Sequence, residues 1–210
     1  MLTVISCKSS NLPQASFEGR HETVVAIPYI SPDRVARVAA VLQRRTDRDA
    51  LLVLAEDDLR QGFIKTANMV FARTDSAYFC YLAEDVFPGH FWLEYALNPM
   101  KKTGAGLLAF SDGSFFGSVA AFGMVKREWV TTLYPEKCLF YPGYTSHCAD
   151  TELSVIAERT RNLIFNPNAL MVEVDYEKHL KRHNADDEAL YARRHANCFD
   201  GLIPFPPPPL

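Results

Sequence analysis

Three short apolar runs, each separated from the next by a segment with helical spacing, constrain the fold of this chain most strongly. The runs are VVAIPYI (residues 24–30), ALLVLA (50–55) and AYFCYLA (77–83). Continuous apolar runs rich in β-branched and aromatic residues are typical of strands buried on both faces of a parallel sheet. Ser31-Pro32-Asp33 and Gly62 begin the intervening segments, and the first of these carries three helix-start signals. The alternation predicts an α/β domain with a parallel sheet.

The second half of the chain has a looser pattern. The predicted elements are helices at 91–97, 150–161 and 186–194, and strands at 104–110, 117–126 and 162–174, the last with a turn at Asn166-Pro167-Asn168. Five of the 13 prolines lie in the last seven residues, which predicts a disordered tail at 201–210. With 210 residues, the length favours one domain over residues 1–200.

The charge and the cysteines exclude several classes of protein. Lys and Arg number 22 and Asp and Glu number 25, so the net charge is −3, which argues against broad binding to nucleic acid or anionic membranes. The five cysteines form no CxxC pair, a pattern that fits a reducing compartment better than a disulfide scaffold. The sequence has no run of about 18 apolar residues, and we expect a cytoplasmic protein.

Acidic residues follow two of the three early runs. Glu56, Asp57 and Asp58 follow the second run, and Glu84 and Asp85 follow the third. Ligands of open α/β sheets bind at the carboxyl ends of the strands, and carboxylates there suit a hard divalent cation with a diphosphate. No glycine-rich phosphate loop follows the first run. The alternative is that Asp57 and Asp58 only cap the next helix.

The order of these motifs resembles the nucleotide-binding half of GT-A glycosyltransferases of the family 2 type. VVAIPYI, LAEDD and GFIKTANMVFARTDSAYFCYLAEDVFPGHFWL carry the resemblance, with Gly62, Asn68, Asp85, Pro88 and Trp92-Leu93 in register. Two later stretches extend it to about residues 24–180: GSVAAFGMVKREWV and CADTELSVIAERTRNLIFNPNALMVEV. The resemblance implies a Rossmann-like GT-A domain with a mixed, mostly parallel sheet. Its donor-binding half would span about 20–100 and its acceptor half about 101–200.

The resemblance also implies site residues. Asp85 would hold Mn²⁺ or Mg²⁺ with the donor diphosphate, and His179 would complete the metal site. The residues expected to face the nucleotide sugar are Pro28, Tyr29, Asp57, Lys65, Asn68 and Glu84. One departure matters: the family's Asp-x-Asp motif reads Ala83-Glu84-Asp85 here, so the first acid is missing and Glu84 would have to substitute for it.

An inverting transfer needs a carboxylate that takes the proton of the acceptor hydroxyl. The resemblance places Asp150 in that role, with Glu152 as the second candidate. Asp150 alternatively only N-caps its helix, a role that aspartate fills well. His147, His179 and His183 with Asp150 could form a hydrolytic zinc site, but no HExxH motif accompanies them. Aromatic residues concentrate between 115 and 144, where an acceptor pocket is expected; they alternatively fill the core.

The sequence therefore predicts a glycosyltransferase that moves a sugar from a nucleoside diphosphate donor, with UDP favoured, to an unidentified hydroxyl acceptor. Two other classes stay open. A sugar nucleotidyltransferase would use the same half-fold and acidic edge. A catalytically impaired module that binds nucleotide sugars would account for Ala83.

Overall fold

A computed structural model describes residues 2–174 and 184–205, and it has a single mixed sheet between two layers of helices. The predicted His179 and His183 and most of the proline tail lie outside the described residues. In chain order, the strands are β1 (Leu2–Lys8), β2 (Arg20–Tyr29), β3 (Ala50–Glu56), β4 (Asp75–Tyr81), β5 (Val86–Pro88), β6 (Leu107–Ser111), β7 (Gly123–Lys126) and β8 (Leu163–Glu173). The helices are α1 (Pro32–Arg45), α2 (Phe63–Arg73), α3 (Trp92–Thr103), α4 (Arg127–Val130), α5 (Ala149–Arg159), α6 (Ala185–Ala196) and α7 (Cys198–Gly201), and a 3-10 helix covers Ser9–Gln14.

The strand order is β1-β3-β2-β4-β7-β6-β8-β5. The first four strands in this order are mutually parallel, as the three apolar runs predict, with Ile27 opposite Leu54 and Val25 opposite Cys80. Strand β1 was not predicted. It pairs with β3 at the edge of the sheet, where its side chains are only half-buried or exposed, so its apolar pattern is weak.

The second half of the sheet is mixed. Strand β7 is antiparallel to β4 and β6, whereas β6 and β8 are parallel. Strand β7 is shorter than predicted, because residues 117–122 form a loop before it. The predicted turn at Asn166-Pro167-Asn168 is instead a bulge within β8: Ala109 pairs with Phe165, but Ser111 pairs with Leu170.

Both faces of the sheet are covered, which explains the continuous apolar runs. Helices α1 and α3 pack on one face through Val38, Leu42 and Trp92. Helices α2 and α5 pack on the other through Phe71 and Leu153. The predicted α/β class is confirmed. Among the described residues, none of the helices is long and apolar enough to cross a membrane.

Candidate functional site

The first cleft lies at the carboxyl ends of β2, β3 and β4. Its volume is about 380 Å³, and its lining residues are Pro28, Tyr29, Ile30, Asp57, Arg60, Gly62, Phe63, Ala83, Glu84 and Asp85. The volume is within the range of about 300–1,000 Å³ that is typical of small-molecule sites. Three parallel strands end at one edge of the sheet, so Asp57 after β3 meets Glu84 and Asp85 after β4 here. Asp58 is not in this cleft, because its carboxylate accepts hydrogen bonds from Ser9 and Ser10. Five of the predicted site residues line this cleft.

Asp57 orders the turn that begins α2. Its two carboxylate oxygens accept hydrogen bonds from the backbone N–H groups of Gln61 and Gly62, at 3.0 and 2.8 Å, and its own N–H donates to the Tyr29 carbonyl at 2.8 Å. Both donors precede the first helical residue, Phe63, so Asp57 orders the loop before α2 and does not cap the helix itself. A carboxylate has about four acceptor sites, and two suffice for these bonds, so Asp57 can also accept from a ligand in the cleft.

Glu84 is fastened to the start of α1. Its Oε2 atom accepts from the backbone N–H groups of Ile30 and Ser31, at 2.7 and 2.8 Å. Its Oε1 atom lies 3.6 Å from the Arg34 guanidinium. This carboxylate therefore serves a helix N-terminus, where negative charge is favourable. Glu84 lines the cleft, but its hydrogen bonds do not support the role of substitute for the acid that Ala83 replaces.

Asp85 is the best-placed carboxylate for a cation in the first cleft. It is 9% exposed and lies in the turn between β4 and β5, four residues after the end of β4. No group of three or more His, Cys, Asp and Glu residues that could hold a metal occurs in the described part of the chain. One carboxylate nevertheless fits Mg²⁺ or a similar cation when diphosphate oxygens and water supply the other ligands. The residues present thus fit a metal that arrives with a diphosphate, not a metal held by the protein alone.

Lys65 and Asn68 line neither cleft. The Asn68 amide is paired with the backbone of Phe140: its nitrogen donates to the carbonyl and its oxygen accepts from the N–H, both at 2.9 Å. This pair ties α2 to the segment before α5. Lys65 is exposed in the first turn of α2. The structure therefore does not bring these two predicted residues to the other five.

The second cleft adjoins the first, with which it shares Phe63 and Ala83. Its volume is about 410 Å³. Its lining residues are Phe63, Ile64, Ala83, Phe115, Ala121, Phe122, Phe140, Ser146, His147, Cys148, Ala149, Asp150, Thr151, Glu173 and Glu188. The predicted base Asp150 is in this cleft, at the first turn of α5.

The surroundings of Asp150 disfavour its charged form. Burial raises the pKa of this carboxyl, although hydrogen bonds from Thr151 and the nearby His147 act in the opposite direction. The Thr151 N–H donates to Asp150 Oδ1 at 2.8 Å, which satisfies one free donor of the first turn, but the N-cap of α5 is Cys148 and not Asp150. A carboxylate that holds its proton more strongly than usual is a better proton acceptor, which suits a general base.

Glu152 does not reach either cleft, which removes the second base candidate from the site. It is fully buried, and its carboxylate accepts four hydrogen bonds: two from Arg194, at 2.7 and 2.8 Å, and one each from Tyr134 and Tyr144, at 3.0 and 2.7 Å. Burial and the Glu152 charge raise the pKa of both tyrosines, so both hydroxyls remain donors. This cluster joins α5 to α6.

The role of Asp187, at the start of α6, was not predicted. Its carboxylate accepts from the backbone N–H groups of Thr145, Ser146 and His147, at 3.0, 2.8 and 2.8 Å. Ser146 and His147 line the second cleft, and a Cβ atom at Gly62, which lines the first, would lie 2.6 Å from the Thr145 carbonyl oxygen. The only local signal is the N-cap Asn184, whose side chain accepts from the N–H groups of Asp186 and Asp187.

We expect Asp187→Ala to lower the free energy of unfolding by about 2–4 kcal/mol, because three backbone donors lose a charged acceptor. Burial raises the pKa of Asp187, but the three N–H groups outweigh it, so the pKa lies below its usual value. A lowered pKa stabilises the fold above the ordinary aspartate value and not in acid. The difference from the unaltered chain should therefore shrink below about pH 4.

Urea unfolding at several pH values measures this effect, and Asp186→Ala is the matched control. Asp186 is the exposed neighbour of Asp187 in the same helical turn, so its loss should cost less than about 0.5 kcal/mol. A loss of unfolding free energy in Asp187→Ala as small as that in Asp186→Ala would show that the contacts of Asp187 contribute no stability.

Comparisons with known proteins place the fold. No protein-family model matches the chain, and no curated protein matches its sequence. Solved glycosyltransferase structures do match. The mannosyltransferase PcManGT from Pyrobaculum calidifontis, in complex with GDP-Man and Mn²⁺, has a TM-score of 0.57 and 12% identity. The match covers 80% of this chain and 63% of that one.

Two further structures agree with this match. GalNAc-T7 with UDP, GalNAc and Mn²⁺ has a TM-score of 0.64 and 12% identity over 81% of this chain and 47% of that one. A Drosophila beta-1,4-galactosyltransferase 7 mutant with manganese, UDP-Gal and xylobiose has a TM-score of 0.57 and 15% identity, and the match covers 80% of this chain and 79% of that one. The chain thus has the GT-A glycosyltransferase fold, as predicted. It spans less than two thirds of the length of the first two of these proteins.

Proposed function

We propose that this protein is a metal-assisted, inverting glycosyltransferase that takes its sugar from a nucleoside diphosphate donor, with UDP favoured. One observation carries the proposal: two clefts meet at the carboxyl edge of the parallel strands, with Asp85 in the first and Asp150 in the second. The two carboxylates lie on either side of a shared boundary at Phe63 and Ala83, which supports a role for Asp85 in holding a cation and for Asp150 in accepting a proton. The reacting sugar would lie at that boundary.

The first cleft is the proposed donor site. Tyr29, Pro28 and Asp57 would face the nucleotide, with Asp57 accepting hydrogen bonds from it. Asp85 would hold Mn²⁺ or Mg²⁺, which when bound neutralises charge on the departing diphosphate. His179, which would complete this set, remains a prediction.

The second cleft is the proposed acceptor site. The hydroxyl oxygen of the acceptor would form a bond to the anomeric carbon while the bond from that carbon to the diphosphate breaks. Asp150 would accept the proton of the hydroxyl in this step. The attack comes from the side opposite the diphosphate, so the configuration at the sugar inverts. The position of Asp150 in the second cleft supports this assignment, and so does its raised pKa.

If Asp85 holds the metal, Mn²⁺ should bind only together with the nucleotide sugar. Because the first cleft supplies one carboxylate, we expect Mn²⁺ alone to leave the unfolding temperature unchanged. UDP-sugars with Mn²⁺ should raise it, since a ligand at 100 times its Kd stabilises the fold by about 2.7 kcal/mol. Asp85→Ala should remove the Mn²⁺-dependent part of the shift, whereas Asp33→Ala, an exposed acid in the first turn of α1, should keep it. An unchanged titration in Asp85→Ala would contradict the assignment.

A second function is favoured by one feature. Ala83 removes the first acid of the motif, and the Glu84 carboxylate is engaged at the start of α1, so a binding module without transferase activity has support. Binding of nucleotide sugars with no turnover in any donor and acceptor combination would identify that module.

A further inference from the structure

An aromatic loop follows β6 at the rim of the second cleft. We call residues 112–118 the flap. Its two phenylalanines, Phe115 and Phe116, are 46% and 72% exposed. Adjacent exposed aromatic rings beside a cleft mark a surface that meets another molecule more often than isolated ones do.

The flap is a built structure, although its rings are exposed. The buried Asp112 carboxylate accepts from the N–H groups of Ser114 and Phe115, at 2.8 and 2.9 Å. The Ser118 N–H and hydroxyl both donate to the Phe115 carbonyl, at 3.0 and 2.7 Å. These bonds use backbone atoms of Phe115 and not its ring. The backbone of Phe115 is therefore held in position, while the side chain remains exposed.

The backbone conformation of the flap also indicates an ordered structure. Phe116 has φ 48°, in the left-handed region that residues with a Cβ atom rarely adopt. Gly117 has φ 86°, and a Cβ atom there would lie 2.5 Å from the Phe165 ring. Unfavourable backbone conformations persist where surrounding contacts impose them, and they cluster at functional sites. Here they turn Phe115 toward the cleft and Phe116 toward solvent.

The chemistry of the second cleft indicates what meets Phe115. The cleft combines the accessible rings of Phe63 and Phe115 with the carboxylate of Asp150, and its described lining contains no Lys or Arg. Carboxylates accept hydrogen bonds from hydroxyl groups, and the flat face of a ring packs against the C–H face of a sugar. Both needs of a saccharide are therefore met in one cleft.

We propose that the acceptor is a neutral saccharide whose sugar ring stacks on Phe115 while its reacting hydroxyl faces Asp150. This inference rests on the proposed function and names its acceptor class. Charge separates a saccharide from the other acceptors. A phosphorylated lipid, a nucleic acid or an anionic membrane would bring negative charge to carboxylates, and Asp112 is the only charged residue of the flap. Cationic patches are what such partners require.

Binding to immobilised glycans tests the proposal. The unaltered protein, saturated with UDP and Mn²⁺, is applied to an array of neutral mono-, di- and trisaccharides, and the best ligand is titrated in solution. We expect Phe115→Ala to weaken that binding about tenfold, as the loss of one stacked ring should, and Phe115→Tyr to restore it. Phe205→Ala is the matched control, since Phe205 is 76% exposed and lines neither cleft.

Other outcomes overturn the inference in distinguishable ways. The same samples are tested against vesicles of phosphatidylcholine and phosphatidylglycerol and against serine- and threonine-containing peptides. Absence of saccharide binding on the whole array, or equal binding by Phe115→Ala, rules out stacking on Phe115. Binding to vesicles or peptides that requires Phe115 assigns the flap to another partner. UDP binding, measured separately by the thermal shift, reports on the donor site, so its presence without saccharide binding overturns only the acceptor class.

Discussion

Asp150→Asn should abolish sugar transfer and leave donor binding intact. Removal of a general base costs about 10²–10⁴ in rate, and Asp150 lies in the second cleft, outside the set of residues that line the first. The shape of the side chain and its hydrogen bond from Thr151 are both compatible with asparagine. The test compares steady-state transfer with the thermal shift produced by UDP-sugar and Mn²⁺ in the same variant.

The same substitution should not destabilise the protein at neutral pH. Burial raises the pKa of Asp150, so the folded state binds its proton more strongly than the unfolded state does. Ionisation of Asp150 therefore lowers stability as the pH rises through the folded pKa. Asparagine cannot ionise, and we expect an equal or higher unfolding temperature at pH 7. The difference should vanish below about pH 4, where the ordinary aspartate carboxyl is protonated as well.

Loss of activity with a stable fold is the signature of a catalytic residue rather than a helix cap. A pure N-cap would show the reverse, with stability lowered by about 1 kcal/mol and transfer retained. Asp33→Asn, an exposed acid at the start of α1, controls for the loss of one charge and should change neither quantity. Retained transfer in Asp150→Asn would show that the base lies elsewhere.

Glu152→Gln should have the largest effect on stability. The Glu152 carboxylate and the Arg194 guanidinium are both buried and joined by two hydrogen bonds, and removing one partner of such a pair costs about 3–5 kcal/mol. A glutamine amide oxygen could still accept a hydrogen bond from Arg194, but the guanidinium would lose its buried counter-charge. It would keep the exposed Asp200 carboxylate and the ring of Tyr141, whose centroid lies 3.4 Å from the guanidinium carbon. Urea unfolding of the purified variant measures the loss.

Two controls isolate the buried pair. Glu22→Gln removes the same kind of group from an ion pair of 2.6 Å with Lys101, but both partners are almost half exposed, so we expect less than about 1 kcal/mol. The double variant Glu152→Gln with Arg194→Met should be less destabilised than the sum of the single variants, because no unpaired charge remains buried. Similar losses in Glu152→Gln and Glu22→Gln would show that the pair contributes little.

The sequence was most informative where burial on both faces of a strand dictates composition. The runs in β2, β3 and β4 are continuously apolar because helices cover both faces, and their ends therefore locate Tyr29, Asp57 and Asp85 at one edge. Strand β1 lies at the edge of the sheet, where one-sided packing leaves a weak pattern. The short β5, with three residues, is set by its pairing with β8 and has no local signal.

Side-chain roles were harder to predict, since their partners are distant in sequence. Asn68 pairs with Phe140 and Asp187 with Thr145, over separations of 72 and 42 residues. Helix geometry predicts that Asp150 and Glu152 cannot both reach the cleft. Residues two positions apart do not share a helix face, so only one of them can reach the cleft while the other faces the core. The packing of α6 against α5 decides which of the two is buried, and the sequence does not predict that packing.

Donor turnover tests most directly whether the first cleft binds a nucleotide sugar and the second cleft holds the acceptor of that sugar. The protein is incubated with Mn²⁺, a panel of UDP- and GDP-sugars and a mixture of neutral saccharides, and products are identified by mass spectrometry. The account predicts release of a nucleoside diphosphate with a matching glycosylated product, lost in both Asp85→Ala and Asp150→Asn. The absence of a glycosylated product with every donor would contradict it, and so would release of pyrophosphate in a parallel incubation with a nucleoside triphosphate and a sugar phosphate.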